Sequence, residues 1–215
     1  MGDIEIITLV IIAINGIASF KGFNDQEFFE KYKFNIGKIK AGEKIRFFTS
    51  GFLHVDMSHL FVNMLTLYFF ANVVIFNMGA AQFLLIYLGS LLLGNLFAYF
   101  FHKEEPFYTA VGASGAVMGV LYSAILLQPD MMLGLFFIIP IPAYVFGIGY
   151  LLYTLYGMRS KQDNIGHDAH FGGAMGGYFL TLMLSPWIFT EHLLMVFLLL
   201  IPIVLLLVLK KTNRI

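Results

Sequence analysis

MSHLFVNMLTLYFFANVVIFNMGAAQFLLIYLGSLLLGNLFAYFF, the run from Met57 to Phe101, is 45 residues long and contains no Asp, Glu, Lys or Arg. A hydrocarbon layer about 30 Å thick takes about 20 apolar helical residues to cross, so the run is too long for one helix and divides at Asn77-Met78-Gly79. Working outward from these two spans, the second and third of the chain, the same criterion marks the others. The first, Ile4 to Phe20, is headed by Asp3 and Glu5 and has neither a basic start nor a small-residue cleavage site. It reads as a retained span, not a signal peptide. The fourth runs from Gly112 to Gln128, between His102-Lys103-Glu104-Glu105-Pro106 and Gln128-Pro129-Asp130. The fifth covers Met132 to Tyr156, where Pro140 and Pro142 predict a kink or a break in the helix because each removes a backbone donor and clashes with the preceding turn. A loop, Arg159 to Asn164, leads to the sixth, His167 to Leu184, and after Ser185-Pro186-Trp187 a seventh, Leu193 to Leu209, ends at Lys210-Lys211.

Composition agrees with that reading. Of 215 residues 59% are hydrophobic and 12% charged, with a mean hydropathy of +0.82, whereas soluble domains carry about 25% charged residues. The chain is expected to be one all-α polytopic membrane domain, residues 1–215. Thirteen Lys and Arg balance thirteen Asp and Glu, which gives no basic surface for nucleic acid. The absence of cysteine excludes disulfides, thiolate metal sites and a cysteine nucleophile, so any chemistry falls to oxygen and imidazole. Seven of the thirteen Lys and Arg lie in the first loop, residues 21–54. Within that loop Asn24 to Tyr32 has the pattern of a capped amphipathic helix, with Phe28, Phe29 and Tyr32 on one side, which predicts a loop lying in the lipid interface. All thirteen basic residues fall after spans one, three and five or at the C-terminus. The positive-inside rule therefore places that face in the cytoplasm and the N-terminus outside.

Polar groups inside spans are costly and point to function. Spans two, four and six start from one side of the membrane, so their first turns share a depth. His59 and Asn63 open span two, Ser114 span four, and His167 and His170 span six. His59 and Asn63 are four apart and project from one helix face: two donors converging on a developing oxyanion, or polar contacts to a neighbouring helix. Ser114 stands in Gly112-Ala113-Ser114-Gly115-Ala116-Val117-Met118-Gly119 at a helix start, where free N–H groups favour negative charge. That suits a nucleophile, although serine in a glycine-rich helix also serves packing, and Ala116 breaks the hydrolase elbow pattern. Gly115 and Gly119 in span four, and Gly173 and Gly177 in span six, are GxxxG pairs that let backbones approach. Packing through these faces brings Ser114 toward His170, and a serine beside a histidine is the minimum activated nucleophile. The competing reading is a metal site of His167, His170 and His59; HExxH and cysteine are both absent. Asp168 stands two residues from His170 and points elsewhere on a helix.

Arg46-Phe47-Phe48-Thr49-Ser50-Gly51-Phe52-Leu53-His54, His59-Leu60-Phe61-Val62-Asn63, Gly112-Ala113-Ser114-Gly115 and Ala169-His170-Phe171-Gly172-Gly173 occur in that order. The ordered set, over about residues 4–185, resembles the rhomboid intramembrane serine proteases. The resemblance implies a six-helix core with an added C-terminal span, Ser114 as nucleophile, and His170 as general base without an acidic partner. His59, Asn63 and the Ser114 backbone N–H would form the oxyanion hole. His54, Arg46, Met118, Gly112, Gly115 and Gly173 are structural residues near the site, with His54 ordering the first loop. Where many rhomboids carry Trp-Arg in that loop this chain has Ile45-Arg46, and where many carry a tyrosine stacked on the catalytic histidine it has Met118. The resemblance further implies single-span membrane proteins as substrates, contact with membrane lipid, no cofactor or metal, and a bacterial inner membrane as location. The family arrangement puts the N-terminus in the cytoplasm, opposite to the orientation given by the basic residues.

Overall fold

The computed structural model describes residues 5–135, 139–160 and 165–212. The head of the first span, Asp3 and Ile4, and most of the expected loop 159–164, including Lys161, lie outside them. The helix α1 (Ile6–Asn24) is followed by a folded first loop containing α2 (Gln26–Tyr32), β1 (Phe34–Asn35), α3 (Ile36–Lys40), α4 (Arg46–Thr49) and a 3-10 turn at Ser50–Phe52. Then come α5 (Met57–Met78), α6 (Ala80–His102), β2 (Thr109–Ala110), α7 (Ser114–Leu127), β3 (Met132–Leu135), β4 (Ile139–Pro142), α8 (Ala143–Ser160), α9 (His167–Leu184), α10 (Ile188–Glu191) and α11 (Leu193–Lys211). Four of these, α1, α5, α6 and α11, are long and apolar enough to cross a membrane. Large apolar side chains such as Ile17, Phe61, Phe76 and Phe197 face outward on them, as lipid contact requires. The protein is an all-α, multi-pass membrane protein, with two short antiparallel strand pairs, β1 with β2 and β3 with β4, as the only strands among the described residues.

Local chemistry sets the boundaries. Asp25 caps α2 by accepting from the Phe28 N–H at 2.9 Å, Asn35 caps α3 through Lys38 N–H at 2.8 Å, and Asp56 caps α5 through His59 N–H at 2.7 Å. Gly79, at φ +92°, makes the turn between α5 and α6 in a left-handed region that suits glycine. Span five departs from expectation. Residues 132–135 and 139–142 pair as antiparallel strands with Leu133 opposite Ile141 and Gly134 opposite Pro140, and the helix starts only at Ala143. A helix through Pro140 and Pro142 would lose two backbone bonds and gain two clashes, whereas a two-stranded ribbon is all edge and tolerates proline.

The centre of the bundle is α7, in which every residue from Gly115 to Leu127 is buried. Helices in lipid gain little from hydrophobic burial against one another, so close contact has to supply the attraction. Here it is backbone on backbone. A Cβ on Gly173 would stand 2.6 Å from the Gly115 carbonyl carbon, and one on Gly177 would overlap Gly119. On its other side α9 meets α6, where a Cβ on Gly94 would come within 2.6 Å of the Ala169 carbonyl. Both GxxxG pairs thus face each other. Further out, Asn15 of α1 donates to the Tyr87 hydroxyl of α6 at 3.2 Å, and Tyr178 of α9 donates to the Val196 carbonyl of α11 at 2.8 Å. With 14 residues, α7 is about 21 Å long, shorter than a hydrocarbon layer about 30 Å thick.

Candidate active site

The first loop is fixed by polar contacts to the segment that precedes α7. Arg46, 4% exposed, pairs with Glu43 at 2.6 Å and donates to the carbonyls of Glu30 and Lys33 at 2.9 and 2.7 Å, closing the end of α2. Asn95 of α6 donates to the Phe47 carbonyl at 2.7 Å and the Ser50 hydroxyl at 3.1 Å, and the Ser50 carbonyl accepts from Gly112 N–H at 3.0 Å. His54 ties the remaining strands of this knot. Its Nε2 accepts from Ala113 N–H at 3.4 Å, so Nδ1 carries the proton and donates to Ser19 Oγ at 2.9 Å. Ser19 in turn donates to the Phe52 carbonyl at 3.1 Å. Burial, reinforced by His59 and opposed by the Asp56 carboxylate, pushes the His54 pKa down to about 3 and holds it neutral. The Asp56 carboxyl is also held below its ordinary value, by hydrogen bonds from the Ser58 hydroxyl and the His59 N–H.

This scaffold leads the chain into α7 through Gly112, whose φ of +133° favours glycine. A Cβ there would meet His59, 2.8 Å from Cε1 and 3.0 Å from Nε2, and would lie 3.5 Å from Ser114 Oγ. Glycine at 112 therefore lets the His59 ring and the Ser114 hydroxyl approach a common point. The His59 ring also packs edge-on against His54, with centroids 4.9 Å apart. Asn63 uses one amide N–H on the His59 carbonyl at 2.9 Å, and an amide has a second N–H to offer.

A cavity of about 940 Å³ is lined by His59, Asn63, Ser114, Met118, Tyr150 and His170, among others. Ser114 begins α7, where first-turn N–H groups have no intrahelical acceptor, and His170 lies in the first turn of α9. The structure thus brings Ser114, His170, His59 and Asn63 to one cavity, with Gly115 in its wall and Gly173 packed beneath. His167 and Asp168 turn away. The Asp168 carboxylate lies 3.3 Å from His102 Nε2 and accepts from the Tyr108 hydroxyl at 3.5 Å, while His167 sits edge-on to Tyr153. Among the described residues no group of three or more His, Cys, Asp or Glu is placed to hold a metal ion.

Two contributions escape the sequence reading. Ser19 and Asn95, which carry no local motif, hold the first loop from 35 and more residues away. Tyr150, from α8, places its hydroxyl 2.9 Å from His170 Nδ1; span-level spacing gives no signal for that contact.

A model of the rhomboid domain matches residues 41–187, most of the chain, from the second half of the first loop through α9. The chain belongs to the rhomboid family. Among its relatives, RHOMBOID-like protein 12 of Arabidopsis thaliana, a mitochondrial protein, is 30% identical over 81% of this chain and 56% of its own length. The mitochondrial Rhomboid protein 1 of Saccharomyces cerevisiae is 31% identical over 70% of this chain and 44% of its own. A candidate rhomboid protease of Bacillus subtilis, YdcA, is 32% identical over 70% of this chain and 71% of its own. The rhomboid chain described here spans about half the length of the two mitochondrial relatives.

Proposed function

We propose that this rhomboid is an intramembrane serine endopeptidase that cleaves transmembrane segments of single-span membrane proteins. The observation that carries the reading is the convergence of Ser114, His170, His59 and Asn63 on one cavity, reached from three helix N-termini. His170 takes the Ser114 hydroxyl proton as Oγ attacks the scissile carbonyl. The oxyanion is met by Asn63, His59 and the Ser114 backbone N–H, and His170 returns the proton to the departing amine. Water, deprotonated by the same histidine, then releases the acyl group and restores the serine. No cofactor enters these steps. Because Ser114 heads a helix of only 14 residues, the reaction is set below the membrane surface, where a substrate segment has to unwind. Segments with small or helix-breaking residues are the expected class.

A bacterial plasma membrane is part of this proposal and is supported by the Bacillus relative; the mitochondrial relatives make a mitochondrial membrane the alternative. The second functional reading is a catalytically inactive rhomboid that binds or escorts membrane clients, which needs neither Ser114 nor His170. The deciding experiment is labelling of purified protein with a fluorophosphonate probe, alongside cleavage of a single-span substrate. Loss of both in Ser114→Ala and in His170→Ala is the expected result. Folded native protein that neither labels nor cleaves shifts the reading to the non-catalytic binder, and cleavage that survives Ser114→Ala removes the serine assignment.

A further inference from the structure

The imidazole of His170 is contacted on its Nδ1 side by α8. The Tyr150 hydroxyl lies 2.9 Å from Nδ1, and the two rings lie 26° from parallel with centroids 6.2 Å apart. Tyr150 is itself held. Its ring stacks on Phe146 at 5.9 Å, and its backbone carbonyl accepts from Thr154 one turn later at 2.9 Å. One turn before it, Gly147 is fastened to the centre of the bundle, because its carbonyl accepts from the Tyr122 hydroxyl of α7. The same glycine is covered by α11, with Leu199 Cδ2 3.5 Å from where a Cβ would stand. The hydroxyl that meets His170 is therefore carried on a segment anchored from two sides.

A general base needs an unprotonated ring nitrogen facing the nucleophile, and the tautomer is set by the bond at the other nitrogen. We infer that Tyr150 is a positioning residue for His170: its hydroxyl oxygen accepts the Nδ1 proton, which leaves Nε2 as the acceptor for the Ser114 proton. The inference rests on the serine-dyad reading above and deepens it. In a three-residue triad a carboxylate performs this task and also stabilises the imidazolium by charge. A neutral phenol supplies direction and one hydrogen bond, which strengthens as the ring becomes charged. Met118 occupies the position from which a tyrosine could have reached the histidine along α7, so the aromatic contact comes from α8. Among the described residues, the titratable groups around His170 include Tyr150 and Tyr153 on α8, His167 on its own helix and, on the other cavity walls, His59, Tyr108 and Lys33.

The test compares full-length native protein with Tyr150→Phe, which keeps the ring and removes only the oxygen, and with Tyr150→Leu, which removes both. Cleavage kinetics across pH are combined with ¹⁵N NMR of labelled histidine to read the His170 tautomer. In Tyr150→Phe, kcat is expected to fall about tenfold or more with KM little changed. The acid limb of its pH profile shifts downward because the imidazolium has lost an acceptor, and the Nδ1–H tautomer is no longer dominant. Tyr150→Leu loses at least as much. A Tyr150→Phe enzyme with the native kcat, pH profile and tautomer, beside inactive Ser114→Ala and His170→Ala, overturns the inference and leaves the dyad standing. Native protein that does not cleave, yet shows the Nδ1–H tautomer, overturns the dyad and with it any positioning role.

Discussion

Acid sensitivity of the loop that holds the active-site segment follows from His54. In the folded protein its Nε2 accepts from Ala113 N–H and its Nδ1 donates to Ser19. A second ring proton would therefore point a donor at a donor inside a fully buried site. Burial lowers its pKa from 6.5 to about 3. Between those values the unfolded chain binds a proton that the folded chain refuses, so stability is highest above pH 6.5 and declines as pH falls toward 3. At 1.36 kcal/mol per unit, taking the protein from about pH 7 to about pH 5 costs roughly 2 kcal/mol through this residue alone. The assay is unfolding of the detergent-solubilised protein at a series of pH values, native against His54→Gln, which bonds without titrating. The variant is less stable at neutral pH, and its deficit narrows by about 2 kcal/mol at the acid end. The other histidines are common to both proteins and cancel. Parallel pH slopes for the two would refute the argument that His54 is held neutral by its place in the fold.

Gly173→Ala drives a Cβ to within 2.6 Å of the Gly115 carbonyl carbon and is expected to cost about 3 kcal/mol, the upper part of the usual range for overpacking. Gly149→Ala, with nothing within 4 Å of the new Cβ, leaves thermal stability unchanged or slightly raised, and melting curves of the two variants check the contrast. Arg46→Ala removes the donor that closes α2 at Glu30 and Lys33 and is expected to cost about 2 kcal/mol, with faster limited proteolysis of the first loop as the local readout. Lys38→Cys, exposed on α3 in a chain without cysteine, is expected to react with an impermeant maleimide in intact cells, as the rhomboid arrangement requires; protection would side with the distribution of basic residues.

The parts of the fold legible in the sequence were those that local chemistry punctuates. The sixth span was bounded at His167 and Leu184 by polar flanks and forms the helix His167–Leu184, and the break near Gly79 falls at a residue with positive φ. The GxxxG spacing announced the contact of α7 with α9, because only glycine permits it. In span five the helix breaks at Pro140 and Pro142 and begins at Ala143, but the strand pairing before it was not legible, because proline reports only what a segment cannot be. For the candidate site, the layer argument singled out five side chains, of which His59, Asn63, Ser114 and His170 share a cavity while His167 turns away to Tyr153. Ser19, Asn95 and Tyr150 were illegible for a common reason: each acts through hydrogen bonds to partners 20 or more residues away, and nothing in a helix's own periodicity encodes its partner.

The glycine seam between α7 and α9 has a mechanical consequence. Where two helices touch through their backbones, no side chain lies between them that could switch rotamer and let the gap widen by an ångström. Ser114 and His170 are thus mounted on what amounts to a single plate, whose spacing is set by van der Waals contact of one backbone with the other. Any breathing that admits a bulky guest has to be borne by the walls joined through long side chains, namely α5 with its loop and α8 with the strand pair before it.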